Sequence, residues 1–156
     1  MKGRIKKLCA VAILTAAGFA TLTTLVEAAT DPITIRREAM KSMGAATKAI
    51  SDIIKAGGPV SDLALHAAKI NEVAQKAPEL FPAGSDQPQG KDPGHTMAKP
   101  EIWQDPEDFA EKIKALQDEA AMFNTAVAGG DMAAVTAELD KLGGACGGCH
   151  KVYRAK

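Results

Sequence analysis

From Asp131 to Tyr153 the chain reads DMAAVTAELDKLGGACGGCHKVY. Val135, Leu139, Leu142, Cys146, Cys149 and Tyr153 fall alternately four and three apart, the spacing that lines side chains along one stripe of an α-helix. Asp131, just past Gly129-Gly130, stands where an N-cap is wanted. Two cysteines therefore lie in the apolar seam of an amphipathic helix. The same alternation recurs upstream and strand-like alternation does not, so the expected fold is all-α, an antiparallel four-helix bundle with a ligand between its helices.

Three further stripes complete the bundle. Asp31-Pro32 opens the first, where Ile33, Met40, Thr47 and Ile54 recur every seven residues as the inward row, with Arg36, Met43 and Ile50 as companions. Gly57-Gly58-Pro59 ends it. A second helix is expected from about residue 60 to 77, with Leu63, Ala67, Ile70, Ala74 and Ala77 inward. Asp105-Pro106 opens the third, carried by Phe109, Ile113, Leu116, Ala120, Phe123 and Val127. Between them, residues 78–104 hold Pro78, Pro82, Pro88, Pro93 and Pro100 with three glycines, which excludes a regular helix. A connection this long is usually functional. Phe81 and Ile102-Trp103 are its expected anchors, and it is expected to cover one edge of the ligand.

Met1 to Ala28 reads as a secretory signal peptide: Lys2, Arg4, Lys6 and Lys7 precede an apolar run that ends in Val26-Glu27-Ala28, with cleavage after Ala28. Cys9 leaves with it. The signal takes four of the 19 Lys and Arg and one of the 19 Asp and Glu, so residues 29–156 carry 15 basic and 18 acidic groups, a net charge of −3. That mild acidity, with no basic stripe, argues against a nucleic-acid partner. Residues 29–156 make one exported domain, periplasmic in the cell, whose 4% aromatic content leaves an ordinary core thin.

Cys146-Gly147-Gly148-Cys149-His150 is a C-x-x-C-H motif, the signal for covalently bound haem c. Two thiols three positions apart share a helical face and can form thioethers with the two vinyl groups, and the next residue can offer the iron an imidazole nitrogen. The competing readings are a disulfide, a thioredoxin-like pair and half a zinc site. A zinc site needs more ligands than follow, and a thioredoxin motif belongs beside a βαβ pattern that is missing here. Gly143, Gly144, Gly147 and Gly148 cost helix propensity and are expected to clear room for a flat macrocycle.

Arg36-Arg37-Glu38-Ala39-Met40-Lys41-Ser42-Met43-Gly44, Glu79-Leu80-Phe81-Pro82, Pro100-Glu101-Ile102-Trp103 and Cys146 to Arg154, with the haem motif at the extreme C-terminus, give a pattern covering residues 29–156. In this the chain resembles the cytochrome c prime family, the class II c-type cytochromes, and is nearer those members whose low-spin iron is held by His and Met. The resemblance implies one haem c per chain on Cys146 and Cys149, with His150 and Met40 as axial ligands. It also implies Arg36 or Arg37 pairing with a haem propionate, where a guanidinium fork suits a carboxylate, Arg154 beside the proximal imidazole, and a homodimer through the first two helices. From the residues alone Met40 has a second reading, a methionine that fills core space. Met43, Met97, Met122 and Met132 are weaker sulfur candidates, and His66 and His95 weaker nitrogen ones.

Function is read as electron transfer with protein redox partners rather than as an enzyme. The alternative is a five-coordinate protein that takes nitric oxide or another small gas, which requires a distal site Met40 can vacate. A peroxidase would want a distal histidine, and no histidine stands near Met40 in sequence.

Overall fold

A computed structural model describes residues 31–156; the signal segment expected at 1–28 lies outside the described residues. Three of the four long helices start where an aspartate caps them. Asp31 Oδ2 accepts from the Thr34 N–H at 3.0 Å and Pro32 fills the first turn of α1, Pro32–Lys55. Asp105 and Asp131 accept from the Asp108 and Ala133 N–H groups at 3.3 and 2.9 Å, opening α4 (Pro106–Gly129) and α5 (Met132–Tyr153). Gly130, at φ 77°, stops α4 in the left-handed conformation that an unbranched Cα adopts cheaply.

Two boundaries differ from those expected. The second helix is α-helical only as α2, Ala64–Lys76, with 3₁₀ turns at Val60–Leu63 and Ala77–Leu80. Pro78 has no N–H with which to continue the α ladder, so the chain tightens into i→i+3 bonds. The loop 78–104, expected to be irregular throughout, ends in a single helical turn, α3, Glu101–Gln104. No strand forms among the described residues, only isolated bridges at Gln89–Thr96 and Ala98–Arg154. No described helix is long and apolar enough to cross a membrane.

The four long helices form the bundle. α1 packs on α2, α2 on α4 and α4 on α5, while α1 and α5 share no comparable seam. The inward rows of α2 and α4 are buried as their spacing requires, with Ala67, Ala74, Ala120 and Phe123 fully enclosed. On α1 the stripe is divided between core and cavity. Its buried side chains are Ile33, Arg36, Met43, Ala46 and Ile50, whereas Met40, Thr47 and Ile54 are only half-buried. α1 thus turns its companion row into the core and leaves the Met40–Thr47 row along the gap facing α5. The loop is anchored as its aromatics suggest: Trp103 Nε1 donates to the Phe81 and Pro82 carbonyls, and Phe81, Phe109 and Tyr153 stack edge to face with centroids 4.9 and 5.2 Å apart.

Candidate functional site

The gap between α1 and α5 is a cavity of about 800 Å³, within the range of cavities that hold cofactors. Met40 and Met43 line it from α1, and Cys146, Cys149 and His150 from α5. Phe109, Ile113 and Leu116 of α4 make its apolar floor. Thr96, Met97 and Ala98 of the loop close one edge, the cover expected of that segment.

Cys146 and Cys149 are half-buried and not joined to each other, and burial pushes both thiols up from their ordinary range. Among the described residues no three His, Cys, Asp or Glu side chains converge as a metal-ion cluster would require. Desolvation first, and the nearby Arg154 charge second, hold the His150 imidazole below its ordinary range. A neutral imidazole is what an iron ligand must be. Paired thiols on one helical face, the adjoining imidazole and a large apolar cavity make this donor set fit a covalent haem. All four glycines of α5 are exposed with open space around them, and Gly143 alone lines the cavity, so clearing room for the macrocycle falls at most to one of the four.

Arg36 is buried and lines the cavity, but its terminal nitrogens are engaged elsewhere. Nη1 donates to Leu80 O at 3.1 Å and Ser85 Oγ at 2.8 Å, and Nη2 to Ser85 O and Thr96 Oγ1, both at 2.7 Å. Its guanidinium also lies 5.0 Å from the Phe81 ring centroid. Arg37 donates to the carbonyls of Lys91, Asp92 and His95. The two arginines expected at a propionate thus grip the covering loop, and of the five N–H donors of Arg36 only the Nε–H lacks a partner among these bonds. Ser85 and Thr96, the acceptors that bury Arg36, carry no sequence signal: they lie 49 and 60 residues away, outside any periodic stripe.

Arg154 also lines the cavity, and its backbone is tied down rather than frayed. Its N–H reaches His150 O at 3.1 Å, and Lys99 N–H and Ala155 N–H bond Tyr153 O and Met97 O on either side. His66 and His95 are outside the cavity lining, as are Met122 and Met132; Met97 reaches it from the loop.

Below the site Tyr153 donates to Asp108 Oδ2 at 2.5 Å. That bond, ahead of Lys112, holds the Asp108 carboxyl below the usual range, and it raises the phenol. Because the folded carboxyl titrates below its unfolded value of about 3.9, the contact stabilises above that pH and fades as acid protonates Asp108. Tyr153→Phe is expected to move the Asp108 midpoint up toward the ordinary carboxylate value in a carbon-detected NMR titration.

Known proteins agree with this geometry. The family model described as Cytochrome C' matches residues 31–154. Cytochrome c-554 of Cereibacter sphaeroides is 44% identical over 80 residues, 51% of this chain and 50% of that protein, so the chain spans about half the length of this relative. Cytochrome c' of Rhodospirillum rubrum is 34% identical over 147 residues, 92% of this chain and 97% of that one. The crystal structure of cytochrome c' from Thermochromatium tepidum superposes with a TM-score of 0.74 at 26% identity, covering 80% and 95% of the two chains. With its thiol pair and adjoining imidazole on the last helix of a four-helix bundle, the chain belongs to the cytochrome c' family of haem proteins.

Proposed function

We propose that the protein is an exported, periplasmic electron-transfer haem protein whose iron is held by His150 and Met40 in a low-spin, six-coordinate state. The observation that carries this reading is the position of Met40, half-buried on the α1 wall of the cavity that Cys146, Cys149 and His150 line from α5. When bound, a haem with a Met/His pair supplies a one-electron couple of raised potential. The chain's own contribution is to hold it. Cys146 and Cys149 would fix it covalently, α4 excludes water with Phe109, Ile113 and Leu116, and the loop roofs one edge. Filled axial positions keep the site from rearranging between oxidation states. Neither His66 nor His95 lines the cavity, so no second imidazole stands ready for the acid–base work of a peroxidase.

Gas binding is the second reading. It is favoured by the chemistry of Met40, since an unbranched, flexible thioether on the cavity wall can swing off it. The optical and spin-resonance spectra of the oxidised holoprotein separate the two: a low-spin signal with methionine-to-iron absorption is expected, and a high-spin spectrum would demote Met40 to packing. Met40→Ala is expected to turn the oxidised iron high-spin and to raise carbon monoxide binding to the ferrous form by at least about tenfold, an affinity change of about 1.4 kcal/mol. Equal binding by wild type and variant would exclude Met40 as a ligand.

A further inference from the structure

The charged side chains lining the cavity are unbalanced. Arg36, Arg37, Lys41 and Arg154 face it against a single carboxylate, Glu38. The acceptors of Arg36 and Arg37 are neutral carbonyl and hydroxyl oxygens, so hydrogen bonding leaves both charges uncancelled. Lys41 meets Glu38 only at 4.0 Å, with both side chains largely exposed, where an ion pair contributes little. Lys99 Nζ donates to the Val152 carbonyl beside Arg154, Lys151 is exposed next to His150, and no acidic residue follows Asp140. Three nearby carboxylates count on the other side. Asp31 acts on Arg36 and Asp105 on Tyr153 through space, and Asp108 is taken up by Tyr153 and by Lys112, itself one more cation. Even with the two propionates a haem would bring, the cations lining the cavity or flanking it outnumber these acids.

This concentration sits on a chain whose residues 29–156 are net negative by three, so the positive mouth is a local feature opposed to the overall charge. We propose that the cavity mouth, framed by Arg37, Lys41 and Arg154, is the docking surface for a redox protein whose own cofactor edge is ringed by carboxylates. The proposal rests on the electron-transfer reading above. Complementary charge of this kind steers encounter and sets its salt dependence more than it adds affinity. A transient complex of that sort needs only a small interface.

The test uses the reduced holoprotein and two small oxidants of opposite sign, ferricyanide and tris(phenanthroline)cobalt(III), in stopped flow. In each encounter the haem iron gives up one electron and the oxidant takes it, with no bond made or broken. Between about 0.01 and 1 M ionic strength, where screening shortens from about 30 to about 3 Å, the rate with ferricyanide is expected to fall at least about tenfold and that with the cobalt cation to rise. A ferricyanide rate that is flat or rises, as the net charge alone would dictate, overturns the proposal. Lys41→Glu with Arg154→Glu is expected to abolish the fall, while Lys69→Glu with Lys114→Glu, the same charge change on outer faces, leaves it; identical behaviour of the two pairs also overturns it. Retention of the holoprotein on a sulfonate resin at about 0.01 M salt is the readout free of electron transfer: binding lost only in the first pair supports the patch, and passage of the wild type straight through contradicts it. The spectrum remains a separate measurement. A high-spin protein with a falling slope keeps the patch and loses Met40, and a low-spin protein with a flat slope does the reverse.

Discussion

Cys146→Ala combined with Cys149→Ala is expected to cost the protein its native packing along with its haem. The cavity between α1 and α5 measures about 800 Å³ and its floor is Phe109, Ile113 and Leu116. Kept dry and unfilled at roughly 24 cal/mol per Å³, such a space would cost on the order of 20 kcal/mol, beyond the whole stability of an ordinary domain at about 5–15 kcal/mol. Water entering through the mouth lowers that figure, but only by wetting the apolar floor. Since α1 and α5 share no packed seam of their own, only the loop edge at Thr96, Met97 and Ala98 otherwise closes that side of the bundle. The variant should keep much of its far-ultraviolet dichroism, lose its near-ultraviolet signal, bind a hydrophobic dye and melt without a sharp transition. A cooperative melt with native near-ultraviolet dichroism would show that the four helices hold themselves together.

Arg36→Leu is expected to release the covering loop and to destabilise the protein by about 3 kcal/mol. Ser85 Oγ retains its bond to Pro82 O and Thr96 Oγ1 its bond from the Ala98 N–H, so the acceptors left without these donors are the carbonyls of Leu80 and Ser85. Each buried orphan costs about 1–3 kcal/mol, and loss of the contact with the Phe81 ring adds up to about 2 kcal/mol. Relief from burying a guanidinium offsets part of this. Arg36→Lys should rescue little, because one ammonium cannot reach acceptors on both arms of the fork. Urea unfolding gives the magnitude, and amide exchange gives the location: the Gly90 and Thr96 amides, bonded to Thr96 O and Pro88 O, should lose protection before those of α4. Unchanged exchange at those two positions would mean the loop is held by its aromatic anchors alone.

What could be read from the residues, and what could not, follows from the range of the interactions. The stripes of α2 and α4 are local patterns, and Leu63, Ala67, Ile70, Phe109, Ile113 and Phe123 are buried where spacing puts them. The haem motif is equally local, five consecutive residues whose chemistry is carried by their types. On α1 the periodicity was correct, but the division of its two rows between core and cavity was not visible. Two apolar rows run side by side there, and which one enters the core depends on where α2 and the cavity lie. Arg36 could not be read at all as a loop clamp. A buried arginine on an apolar row is explained only by acceptors brought back from Leu80, Ser85 and Thr96, and contacts across such distances leave no periodic trace.

Of the seven hydrogen bonds that Arg36 and Arg37 send into the loop, five end on backbone carbonyls, at Leu80, Ser85, Lys91, Asp92 and His95. A carbonyl is present whatever side chain the position bears. The path of the roof is therefore encoded mainly in two neighbouring codons of the first helix. Its own residues between Ser85 and Thr96 are left free to drift in sequence, provided that the number of links and the turns between them are kept.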